Sequence, residues 1–119
     1  MQADNDSFFA AAPEGQLAVD VIETFRDIII RTAIAGVKPE DVHVHVTNDV
    51  VTIRGERKPY TYTTDSTVHF AECFWGAFSR SIILPHHVNP DQAQAQFENG
   101  VLTLTIPKLV GEKTITLTL

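Results

Sequence analysis

Apolar residues recur at every second position through most of this chain. In "VLTLTIP" Val101 is followed by Leu102, Leu104 and Ile106 on one face, with Thr103 and Thr105 on the other. That is the period of a half-buried strand. It opens after the turn dipeptide Asn99-Gly100 and stops at Pro107, which cannot donate to a ladder. "LAVDVIET" alternates Leu17, Val19 and Val21 against Ala18, Asp20 and Ile22, and "VHVHVT" sets Val42, Val44 and Val46 against His43, His45 and Thr47. "DIIIRTAIAG" is apolar on both faces, as expected of a strand well inside a sheet. Asn48-Asp49 predicts a tight hairpin into "VVTIRGER". "VHFAECFW" is a short aromatic strand candidate, and "AFSRSIILP" is another, ended by Pro85. "QAQAQF" precedes the last strand, and "DQAQAQF" alone also passes as a short helical turn. About eight short strands, punctuated by Gly, Pro, Asn and Asp, predict an all-β, immunoglobulin-like sandwich. Six residues beyond Lys108, after a polar stretch, the chain repeats the alternation in "TITLTL".

Composition narrows the class. The 119 residues are 44% hydrophobic and 20% charged, ordinary for a single globular domain with a real core. A net charge of −6, with Lys and Arg scattered, argues against a nucleic-acid or anionic-membrane partner. The single Cys73 forms no internal disulfide, the start "MQADNDSFF" is acidic where a signal peptide is basic, and no apolar run approaches a membrane span. The expectation is a cytoplasmic protein. Residues 1–16, polar and broken by Pro13 and Gly15, read as a mobile arm carrying Phe8-Phe9.

Catalytic motifs are lacking. No Gly-rich phosphate loop, HExxH, GxSxG or CxxC is present. Glu72 beside Cys73 would raise the thiol pKa, the wrong direction for a nucleophile, so Cys73 is expected to be a buried or partly buried thiol. His43 and His45 share a strand face and would chelate a metal only if a third ligand came across the sheet, so solvated surface residues are the expectation. His86-His87 reads as a surface pair. Neither enzyme nor cofactor is indicated.

Five collinear stretches resemble the α-crystallin domain of small heat-shock proteins, bacterial type. Ala95, Asn99, Gly100, Val101 and Leu102, followed by "TIPK", match A-x-x-x-n-G-V-L. "FSRSIILP" with Gly76 looks like G-x-F-x-R-x-x-x-L-P and places the family arginine at Arg80, and "LPHHVNPD" continues the match. "VTIRGER" resembles I-x-G-E-R, and "AGVKPEDVHVHV" resembles P-G-v-x-x-e-d-i-x-v-x-v with Ala35 in place of the usual Pro. The usual E-R-x-x-G reads "ECFWG", lacking the arginine, and the N-terminal arm is short for the family. The resemblance covers residues 17–108, leaving 1–16 as an arm and 109–119 as a C-terminal extension.

The resemblance implies an ATP-independent holdase that binds partly unfolded proteins. It also implies that Ile115 and Leu117, as an I-x-I/V motif, dock into an apolar groove on a neighbouring subunit. An i, i+2 pair fills two adjacent pockets while its backbone adds a strand. The leash from Lys108 to Ile115 spans at most ~25 Å. Fully burying two aliphatic side chains is worth ~3–6 kcal/mol, most of it offset by association entropy. The groove is expected at Val44, Val46, Ala95 and Phe97. "VHFAECFW" is expected to be exchanged with the "LAVDVIE" edge of a second copy in an isologous dimer, with Val68, Phe70 and a buried Arg80 at the contact and an acid opposite Arg80. Phe8 and Phe9 join the groove and tail as client-binding surface. The alternatives are a structural self-assembly protein and an adaptor of the related CS-domain type.

Overall fold

The computed structural model describes residues 15–110 and 115–118. Two four-stranded sheets form a β-sandwich, as the alternation predicts. One sheet runs β1-β6-β5-β4 and the other β2-β3-β8-β7. The strands are β1 (Gly15–Gln16), β2 (Asp20–Glu23), β3 (Asp27–Ala33), β4 (Val42–Val46), β5 (Val50–Arg57), β6 (Gly76–Ile83), β7 (Gln94–Glu98) and β8 (Val101–Pro107). All pairings are antiparallel except β1 with β6.

Each inner face follows from period-two placement of branched aliphatics. β3 buries Ile28 and Ile30, β8 buries Leu102, Leu104 and Ile106, β5 buries Val51 and Ile53, and β6 buries Phe78 and Ile82. Each such side chain contributes about 1.5–3 kcal/mol of transfer free energy. Thr32 is buried among them, and its hydroxyl donates to the Ala18 carbonyl at 2.8 Å, which satisfies the polar group. The β7–β8 hairpin turns on Asn99 (φ 55°) and Gly100 (φ 78°), the left-handed pair that a two-residue turn of this twist requires.

Three sequence expectations, on "LAVDVIET", "DQAQAQF" and Cys73, are corrected. "LAVDVIET" is not one strand: β1 and β2 belong to different sheets, and Leu17 to Val19 cross between them. Buried Leu17, whose carbonyl accepts from Arg80 Nη1 at 2.7 Å, anchors that crossover. "DQAQAQF" is split between a 3₁₀ turn at Pro90–Gln92, capped by the Asn89 side chain, and strand β7. "VHFAECFW" forms no strand within its own chain: residues 58–75 are exposed and form an arm outside the two sheets. Cys73 lies on that arm and is therefore exposed, not buried.

Candidate functional site

The two sheets end on one side in edge strands β4 and β7, and an apolar groove of about 290 Å³ runs between them. Alternation aims Val44 and Val46 of β4 inward, where they are half-buried against the core. Ala95 of β7 lies on the opposite wall, Leu104 and Ile106 of β8 form the floor, and Pro90, Ala93 and the one polar liner, Gln94, complete the lining. For scale, a dry engineered cavity of about 150 Å³ accepts benzene. Thus Val44, Val46 and Ala95 are brought together as expected. Phe97 does not line the groove. It faces the same side as Ala95 but pairs with Leu102, one step farther along the hairpin, and packs half-buried on the core. The floor residues were missed because Leu104 and Ile106 read simply as core. Counting the hairpin register back from Asn99-Gly100 does set Ala95 opposite Leu104.

Ile115 and Leu117 do not occupy this groove in their own chain: they are 68% and 84% exposed. The root of the tail is fastened. The Lys108 amide donates to the Arg26 carbonyl at 2.8 Å and the Leu109 amide to the His87 carbonyl at 2.9 Å. Lys108 Nζ donates to the Thr24 carbonyl at 2.9 Å and pairs with Glu23 at 2.5 Å. The hydrogen bond from Lys108 holds the Glu23 carboxyl below its ordinary pKa, and the charges of Lys108 and His86 add to this. The leash accordingly starts after Leu109, and its reach to Ile115 falls to ~20 Å. A larger recess of about 720 Å³ lies beside this root, lined by Phe25, Pro107, Leu109 and Val110 but also by Arg26, Asp27 and Lys108. Those charges suit an aliphatic pair less well than the walls of the β4–β7 groove.

On the opposite side, β2 pairs only with β3 and leaves its other edge open, with Val21 and Ile22 exposed. The arm carries Val68, 51% exposed, and Phe70, 84% exposed. Arg80 is half-buried rather than buried, and within the chain it donates to the Leu17 carbonyl. His43 and His45 stand on the outer face of β4 opposite Arg54 and Thr52. No group of three or more His, Cys, Asp or Glu is placed to hold a metal among the described residues. Phe8 and Phe9 lie outside the described residues. Among the described residues, no helix is long and apolar enough to cross a membrane.

Known proteins are similar to this chain in sequence and fold. The chain is 34% identical over 95 residues to small heat shock protein C2 of Rickettsia felis, and 40% identical over 96 residues to 17.6 kDa class I heat shock protein 1 of Arabidopsis thaliana. Each match covers 80% of this chain but 62% of the relative. The structure of heat shock protein 16.0 from Schizosaccharomyces pombe superposes with a TM-score of 0.73 at 33% identity, covering 88% of this chain and all of that one. Residues 20–117, nearly the whole of the described sandwich and tail, match the Hsp20/alpha crystallin family, and the chain belongs to it.

Proposed function

We propose that this protein is an ATP-independent holdase chaperone, a small heat-shock protein that binds partly unfolded proteins and prevents their aggregation. One observation carries the reading: the chain holds a mostly apolar slot and, outside it, an exposed aliphatic pair two residues apart. In this reading residues 17–108 are the sandwich, 1–16 a client-contacting arm with Phe8 and Phe9, and 109–119 the docking extension. Ile115 and Leu117 dock on Val44, Val46 and Ala95 of a second copy. Val68 and Phe70 add a strand to the open β2 edge of a second copy, with Arg80 at the contact, giving a strand-exchanged homodimer that tails join into larger homo-oligomers. A slot vacated by a tail accepts apolar segments of unrelated sequence, because burial is non-directional. The reading requires no nucleotide, cofactor or catalytic residue and places the protein in the cytoplasm.

The test is light scattering of a heat-aggregating client. Suppression at equimolar protein, lost on blocking the groove, is expected. No suppression with or without heating removes the holdase reading and leaves structural self-assembly.

A further inference from the structure

The arm leaves the sandwich after Arg57 and returns at Gly76, residues that face each other in the β5–β6 register. A loop with adjacent ends has no direction imposed by its length, so something else must aim it. Arg57 touches three separate parts of the fold. Its Nε donates to the Ala35 carbonyl at 2.7 Å, in the turn between β3 and β4. Its Nη1 donates to the Phe74 carbonyl at 3.3 Å, on the returning end of the arm. Its guanidinium lies 5.6 Å from the centre of the Phe78 ring. Phe78 is itself fixed: it is 2% exposed and pressed against Gly55, where a Cβ would meet its ring at 2.5 Å. The rigid fork of a guanidinium holds its donors in fixed, divergent directions with its charge near a ring, whereas a lysine ammonium, a compact charge on a flexible stem, fixes no such geometry.

Two further features secure the same end of the arm. The Phe74 ring lies over Gly15, close enough that a Cβ there would come within 2.9 Å of it. Gly76 has φ 126°, a bend open to glycine, where β6 begins. Farther out, Val68 and Phe70 are exposed rather than folded back onto their own sheet.

We propose that Arg57 is the positioning residue that aims the arm, fixing its return end so that Val68 and Phe70 stand clear for a second copy. The inference rests on the strand-exchange reading above. Pre-ordering the root removes part of the ordering cost that exchange would otherwise carry.

The experiment compares the full chain with Arg57→Lys, Arg57→Ala and the control Lys58→Ala, whose exposed ammonium pairs with Asp41 at 3.7 Å. Native mass across a dilution series gives the dimer dissociation constant, thermal melting gives the stability of the sandwich, and fluorescence anisotropy follows Trp75, the chain's one tryptophan, at the arm root. Arg57→Lys should melt close to the unmodified chain, weaken the dimer about tenfold and lower the Trp75 anisotropy, while Lys58→Ala changes none of these. Arg57→Ala also loses the ring contact and should melt lower, so the lysine variant decides. An unchanged dimer constant and anisotropy, or a dimer weakened only as far as melting drops, overturns the proposal. If the unmodified chain forms no dimer at any concentration, strand exchange fails instead. Anisotropy then decides on the root alone: a fall sustains Arg57 as its anchor, and no change overturns it.

Discussion

Replacing Ile115 and Leu117 together by Ser tests the tail most directly. The two side chains are 68% and 84% exposed in the free chain, so nearly all of their burial is still to be gained on docking. At about 1.5–3 kcal/mol for full burial of each, scaled by those exposed fractions, the pair contributes about 2–4.5 kcal/mol per dock. At 1.4 kcal/mol per decade, its loss weakens each dock between roughly 30-fold and 1,600-fold. Assemblies held by several docks multiply that factor, so the change in mass should be abrupt. Native mass across a dilution series is the assay. The unmodified chain should show species larger than a dimer that dissociate on dilution, and the double variant only the dimer. The conservative pair Ile115→Val and Leu117→Ile should stay close to the unmodified profile, since such swaps usually cost less than about 1.5 kcal/mol. Two outcomes refute the reasoning: superimposable profiles for the unmodified and Ser variants, or an unmodified chain that never exceeds a dimer.

Ala95→Asp should reproduce the Ser phenotype with little effect on melting, because Ala95 is exposed yet walls the groove. Combined with the tail substitutions it should add nothing, and a fully additive loss would place tail and groove in separate interactions. Gly55→Ala should destabilise the sandwich by about 1–3 kcal/mol, because the new Cβ would meet Phe78 at 2.5 Å and the Asp41 carbonyl at 2.7 Å. Calorimetry should register this as a Tm drop of about 4–20 °C, and an unchanged Tm would refute the close approach. Glu23 has its pKa lowered from 4.5, so its pair with Lys108 stabilises the fold above the unfolded value and that contribution is lost as pH falls through the folded value. The unmodified chain should therefore melt above Glu23→Gln at neutral pH, with the two curves converging below about pH 4.5. Curves that stay parallel would show that the carboxylate has no part in holding the tail root.

The sandwich was legible because its strands obey period two and its turns carry Asn99-Gly100 and Asn48-Asp49. The crossover at Leu17 to Val19 was not, since alternation runs through "LAVDVIE" without a break while the backbone changes sheets. "VHFAECFW" has the composition of a strand, but a strand also needs an edge to pair with, and within its own chain the segment pairs with none. In the groove, period two identified the walls Val44, Val46 and Ala95 but also admitted Phe97, which only the hairpin register separates from them. Arg57 and Lys108 were not singled out because their significance lies in backbone carbonyls distant in sequence, Ala35 and Phe74 for one, Arg26 and Thr24 for the other.

The open β2 rim and the open β4–β7 groove sit in one molecule with one arm and one tail. If arm and tail are exchanged as proposed, donors and acceptors of strands are present in equal number in every subunit, whatever the size of the assembly. A closed ring or shell can satisfy all of them at once, whereas a foreign polypeptide seated in any groove leaves one tail unmated. Cargo and loose tails should therefore rise together, one for one, which makes the count of free tails a direct gauge of load.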